Sequence, residues 1–146
     1  MSREKPKVMV IDGDEQHGRQ FCARLQDLDY SVSLLHSLED LEEFLKQSSD
    51  MAVILDLDTV AVEGQSVRAL KKRYPHLPIL GVSKLLLHPG LEELIGSHLY
   101  ACLVKPLDME ELSFWLKSIA TDLDNKVKVT ANSREDFALG PKGREG

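Results

Sequence analysis

The chain has 146 residues, enough for one domain with a single core and too few for a second catalytic domain. Its 24 acidic against 18 basic residues leave a net charge of −6, which argues against the basic footprint of a nucleic-acid binder. The apolar runs fall far short of the ~20 residues that span a bilayer, and no apolar stretch follows Met1-Ser2-Arg3-Glu4-Lys5, so a cytoplasmic protein without membrane contact is expected.

The first apolar run, Lys7–Ile11, reads as a strand that ends on Asp12. Gly13-Asp14-Glu15 follows as an acidic strand-to-helix turn, and Phe21, Leu25 and Leu28 then recur at helical spacing. Tyr30–Leu35 is a second strand. Ser37 with Asp40 resembles a capping box and opens a second helix on Leu38, Leu41 and Leu45. Met51–Leu55 is a third strand, closed by Asp56. Gly64 permits a tight turn before a third helix on Val67, Leu70 and Tyr74, which Pro75 ends.

Pro78–Val82 is the fourth strand, closed by Ser83, and Leu85-Leu86-Leu87 reads by default as the buried start of a fourth helix, with an exposed patch for a partner or dimer as the alternative. Tyr100–Val104 is the fifth strand, closed by Lys105-Pro106. Asp108 with Glu111 caps a last helix that keeps Leu112, Leu116, Ile119 and Leu123 on one face. Phe114-Trp115 brackets that stripe, so at least one ring is expected to face outward. The apolar pattern then stops and the charge reverses, with five basic against three acidic residues from Lys126 onward, so 124–146 reads as a weakly ordered tail or linker. Cys22 and Cys102 sit among apolar neighbours at no metal or disulfide spacing and read as buried reduced thiols. His17, His36, His76, His88 and His98 show no ligand spacing and read as surface residues.

Short strands alternating with helices describe (βα)5. Parallel strands need crossover connections, which are right-handed and place helices on both faces. The expected architecture is a doubly wound α/β three-layer sandwich around a five-stranded parallel sheet. In such a sheet Asp12, Asp56, Ser83 and Lys105 converge at the carboxyl edge, where open α/β sheets bind ligands. Crowded carboxylates at Asp12, Asp14, Asp56 and Asp58 favour Mg²⁺, which offsets their mutual repulsion. Ionised Asp56 can then attack a phosphoryl group to give an acyl phosphate. Ser83 and Lys105 offer a hydroxyl and an ammonium to the phosphoryl oxygens. Pro106 holds Lys105 extended and admits a cis bond that aims it inward.

These residues, in this order, resemble the receiver domain of a two-component response regulator over residues 5–123. On that pattern Asp56 corresponds to the phosphoacceptor, Asp12 to the first acid of a metal-binding pair, Ser83 to the switch hydroxyl and Lys105-Pro106 to the Lys-Pro pair. The resemblance implies a flavodoxin-like strand order, Mg²⁺, and a histidine kinase or phosphotransfer protein as donor. It also implies a downstream effector protein or domain, and a face of fourth helix, fifth strand and fifth helix that shifts on phosphorylation and supports a homodimer. A signalling phosphoacceptor, not an enzyme, is expected.

The chain departs from the pattern at three places. Gly13 replaces the second acid, with Asp14 and Asp58 as candidates to compensate. Lys84 follows Ser83 where a small residue is usual. Cys102 stands three residues before Lys105 in place of an aromatic. Two alternatives accompany this reading. One is a pseudo-receiver that acts by protein contact without phosphorylation. The other is a haloacid-dehalogenase-like phosphatase, to whose first motif Asp56-Leu57-Asp58-Thr59-Val60 is similar, although two strands precede the motif here.

Overall fold

The computed structural model describes residues 5–46, 51–60, 63–85 and 98–131. Residues 8–11, 52–56 and 79–83 are buried at every position, as expected for strands covered on both faces. They form most of β1 (Lys7–Ile11), β3 (Met51–Asp56) and β4 (Ile79–Ser83), the inner strands of an all-parallel five-stranded sheet in the order β2-β1-β3-β4-β5. β2 (Ser31–Leu35) and β5 (Ala101–Val104) are the edges and are less buried. The polar-apolar alternation of Ser31-Val32-Ser33-Leu34 suits an edge strand. The strand order is the flavodoxin-like one.

Among the described residues the helices are α1 (Glu15–Asp27), α2 (Leu38–Leu45), α3 (Gly64–Arg73) and α4 (Met109–Ala131). Alternation along the inner strands separates two faces. Met9, Ile11, Val53 and Leu55 join Leu41 and Leu45 of α2 and Val67 and Leu70 of α3 in one core. Val10, Ile54 and Val82 face the other way and line a cavity together with Phe21 of α1. With α1 on one face and α2 and α3 on the other, the molecule is the expected doubly wound α/β sandwich.

The chain divides into two compact units, Met1–Met109 and Glu110–Gly146. In the second, Leu112, Leu116 and Ile119 form a buried stripe at helical spacing. Phe114 is exposed, its ring edge-on to Trp115 at a centroid distance of 5.4 Å. α4 continues through Ala131, past the end of the apolar pattern, because no glycine or proline interrupts residues 109–131.

Several local expectations are revised. Leu85 is exposed instead of opening a buried helix, and the predicted fourth helix falls on residues 86–97, outside the described residues. Residues 132–146 of the predicted tail also lie outside them. Ser37 stands at the N-cap of α2, but its hydroxyl donates to the Asp40 carboxylate at 3.2 Å and leaves the helix amides alone. Cys22 and Cys102 are free thiols, half-buried, and burial pushes both pKa values up. Among the described residues no helix is long and apolar enough to cross a membrane.

Candidate functional site

Strand register sets the site. β1 and β3 align Ile11 with Leu55, so Asp12 and Asp56 emerge side by side. β3 and β4 align Asp56 with Val82, the residue before Ser83, and β4 and β5 align Ser83 with Val104, the residue before Lys105. Adjacent parallel strands run about 4.8 Å apart, so the four side chains gather at one carboxyl edge. The edge includes the switch point between β1 and β3, where the order of the strands reverses.

Asp56 is 4% exposed, and its two oxygens have different surroundings. Oδ1 accepts from the backbone N–H groups of Asp58 at 2.9 Å and Thr59 at 3.1 Å. Oδ2 lies 2.7 Å from Lys105 Nζ and 3.9 Å from His17 Nδ1. A cavity of about 250 Å³ opens beside it, lined by Asp12, His17, Phe21, Ile54, Val82 and Lys105 among others.

Asp12 is fully buried and pinned from two directions. Oδ1 accepts from Thr59 Oγ1 and from the Asp14 N–H, each at 2.9 Å, while Oδ2 lies 2.5 Å from His17 Nδ1. Burial pushes the Asp12 carboxyl up, but the hydrogen bonds from His17, Asp14 and Thr59 and the charge of His17 outweigh it and hold the pKa below the usual value.

On the other side, Asp58 gathers donors. Its Oδ1 accepts from Ser83 Oγ at 3.1 Å, and its Oδ2 from the Lys84 N–H at 2.9 Å and Lys105 Nζ at 3.1 Å. Burial again pushes the carboxyl up, and the bonds from Lys84, Lys105 and Ser83 outweigh it to lower the pKa. Lys105 mirrors this: burial pulls it down, and Asp56 and Asp58 together raise it. Its peptide bond to Pro106 is cis, and its N–H donates to the Ser83 carbonyl at 2.9 Å. Ser83 is wholly buried and its Oγ also accepts from the Leu85 N–H. The Lys84 side chain is exposed.

Gly13 has a steric cause. A Cβ there would lie 2.3 Å from the Thr59 carbonyl oxygen, and the Gly13 N–H donates to Thr59 Oγ1 at 2.9 Å. The loop after β3 therefore closes on the loop after β1, with no room for a side chain where the receiver pattern has its second acid. Asp14 caps α1, its Oδ1 accepting from the His17 N–H at 3.0 Å. Among the described residues the side chains whose ligand atoms could hold a metal together are Asp12, His17 and Asp56, all within 4.8 Å of one another. Asp14 and Asp58 are not in that group.

Sequence reasoning missed two members of this site. His17, read as a surface residue, is half-exposed but turned onto Asp12. A side chain in the first turn of a helix leans toward the N-terminus, here the strand ends, and that was the available signal. Thr59 is the other: it links Asp12 and Gly13, and nothing local in the sequence marks it. His36 is exposed as expected, with Nδ1 2.9 Å from the Asp12 carbonyl oxygen.

The strand order and the edge cluster define a receiver fold, and solved receiver domains superpose on it. The signal receiver domain of an HD domain-containing protein from Pseudomonas fluorescens Pf-5 is 16% identical with TM-score 0.70, covering 88% of this chain and 96% of that one. The chemotaxis response regulator CheY4 of Vibrio cholerae is 21% identical with TM-score 0.65, covering 79% and 98%. The beryllofluoride-activated NtrC4 receiver domain dimer is 19% identical with TM-score 0.67, covering 77% and 94%. Residues 7–119 match the family model of flagellar regulatory protein FleQ, and the chain belongs to that family. No curated protein matches the sequence.

Proposed function

We propose that the chain is a cytoplasmic signalling module that accepts a phosphoryl group on Asp56 from a histidine kinase or phosphotransfer protein and transmits the change to an effector by protein contact. The observation that carries this reading is the divided environment of the Asp56 carboxylate, with Oδ1 held by two backbone amides and Oδ2 beside Lys105 at the cavity. In the transfer an Asp56 oxygen attacks phosphorus. A new O–P bond forms as the P–N bond to the donor imidazole breaks, and the departing nitrogen keeps the electron pair.

Lys105 can then pair with a phosphoryl oxygen, and the Ser83 hydroxyl, now donating to Asp58, can turn to another. Asp12 and Asp56 would hold a divalent cation, Mg²⁺ on the receiver pattern, which supplies charge neutralisation for the carboxylates and the incoming phosphoryl group. The role is that of a phosphoacceptor, not an enzyme that turns over a substrate. The family description, flagellar regulatory protein, supports an output in flagellar regulation. The neighbour solved as an activated dimer supports a homodimer as one form of the signalling state.

One observation favours a second reading. The approach of Thr59 to Gly13 removes the second acid's place, which is what a pseudo-receiver working without phosphorylation can tolerate. Incubating the chain with Mg²⁺ and acetyl phosphate, while following intact mass and released phosphate, separates the readings. A one-phosphoryl adduct absent from Asp56→Asn is the expected result. Steady phosphate release would mean a phosphatase, and neither adduct nor release would mean a pseudo-receiver.

A further inference from the structure

We propose that His17 is a third ligand of the cation held by Asp12 and Asp56, and that it makes this site select a first-row transition dication such as Mn²⁺ over Mg²⁺. The inference rests on reading Asp12 and Asp56 as the cation's carboxylates.

The donor set carries the argument. Asp12, His17 and Asp56 bring two oxygens and one nitrogen within 4.8 Å of one another. Neighbouring ligands of a dication with bonds near 2.1 Å sit about 3 Å apart. The separations from His17 Nδ1, 2.5 Å to Asp12 Oδ2 and 3.9 Å to Asp56 Oδ2, bracket that value. Small rotations of two side chains would bring the set to coordination distance.

The supporting contacts orient these donors. Thr59 Oγ1 and the Asp14 N–H occupy Oδ1 of Asp12, which leaves Oδ2 for the His17 side. The Asp14 cap holds the His17 backbone at the start of α1. The Asp58 and Thr59 amides occupy Oδ1 of Asp56, and its Oδ2, which also pairs with Lys105 Nζ at 2.7 Å, lies 3.9 Å from His17 Nδ1. Such outer contacts fix ligand direction.

The chain has therefore exchanged an oxygen donor for a nitrogen donor. Gly13 cannot carry a carboxylate beneath the Thr59 carbonyl, and His17 supplies an imidazole to the same cluster. Mg²⁺ prefers oxygen ligands and gives up water reluctantly, whereas imidazole strengthens binding of transition dications. The competing account of the same contacts is that the His17 ring is itself the cation, donating to Asp12 in place of a metal. The two accounts predict opposite effects of removing it.

The test uses the full chain, with bound Mn²⁺ measured from the loss of the free-ion electron paramagnetic resonance signal and Mg²⁺ as competitor. Pulsed measurements report whether an imidazole nitrogen is coordinated. The wild type is expected to prefer Mn²⁺ by about tenfold or more and to show the nitrogen coupling. His17→Gln should lose the coupling and weaken Mn²⁺ binding by about tenfold, with Mg²⁺ affinity changed less than about twofold. Nitrogen coupling that persists in His17→Gln, an unchanged Mn²⁺ preference, or tighter Mg²⁺ binding in His17→Ala would each overturn the assignment of His17 while leaving the Asp12–Asp56 cation site standing. If the wild type binds neither ion, or if Asp12→Asn binds both as the wild type does, the underlying reading of the cation site fails as well.

Discussion

On the β1 side of Asp56 lie Asp12, Gly13, His17 and Thr59, and on the β4–β5 side lie Asp58, Ser83, Lys84 and Lys105. The first group turns a carboxylate oxygen and an imidazole nitrogen toward Oδ2 of Asp56. The second turns an ammonium toward the same atom and keeps a hydroxyl one residue away on Asp58. One side offers an oxygen and a nitrogen, the other an ammonium and a hydroxyl. The two sides meet at Oδ2 of Asp56, while the Asp58 and Thr59 amides hold its Oδ1.

The sides also differ in how their charge is balanced. Lys105 lies between Asp56 and Asp58 at 2.7 and 3.1 Å, a compact ion cluster that runs from buried Asp56 to Asp58 at the exposed rim. Asp12 has its hydroxyl, amide and imidazole donors instead, and a backbone crossing at Gly13 that locks two loops together. Electrostatics dominates one half and close packing the other. Substitutions on the two halves should therefore fail in different ways.

The largest effect is expected from Lys105→Ala, which leaves Asp56 and Asp58 facing each other without their shared cation. Leaving the buried Asp56 carboxylate without its ammonium should cost about 3 kcal/mol, read as a lower urea midpoint, and the loss should shrink in acid as Asp58 protonates. A midpoint unchanged at neutral pH would remove the electrostatic account of that side.

Gly13→Ala comes next. Its Cβ would lie 2.3 Å from the Thr59 carbonyl oxygen, a backbone atom that cannot swing away. Forced separation of the loops should cost about 2 kcal/mol, with no dependence on acid pH. A neutral outcome would show that the loops part freely, and would return room to the missing second acid.

The smallest effect is the pH profile itself. Asp12 and Asp58 have folded pKa values below the usual 3.8, so their contribution is present above that value and is lost as pH falls through the lowered ones. Lys105 has a folded pKa above the usual 10.5, so its contribution is full below that value and is lost as pH rises through the raised one. Urea midpoints should be level from about pH 5 to about pH 9 and decline beyond both ends. The acid limb belongs to both sides of the site and the alkaline limb to the Lys105 side, so Lys105→Met should flatten the alkaline limb and, by taking a donor from Asp58, also reduce the acid limb.

The strands and the side chains that close them were legible in the chain itself. Residues 8–11, 52–55 and 79–82 are apolar runs of strand length, and a polar residue directly after such a run has to emerge at the strand end. Helix spacing along Leu38, Leu41 and Leu45, and along Val67 and Leu70, likewise marked the faces that the core covers. From alternation alone followed the parallel sheet, and from the sheet followed the meeting of Asp12, Asp56, Ser83 and Lys105.

Tertiary structure decided what each of those groups faces. His17 carried no ligand spacing, because its partners Asp12 and Asp56 belong to two different strands. Thr59 reaches Asp12 and Gly13 across the gap between two loops, a contact that no local pattern encodes. Asp14 and Asp58 looked like further ligands for the same cation, yet a helix N-terminus claims one and the Ser83–Lys105 side the other. Periodicity is a local property and places residues on elements. Which donor meets which carboxylate depends on how two loops close over a sheet edge, and that is settled only when the strands are in register.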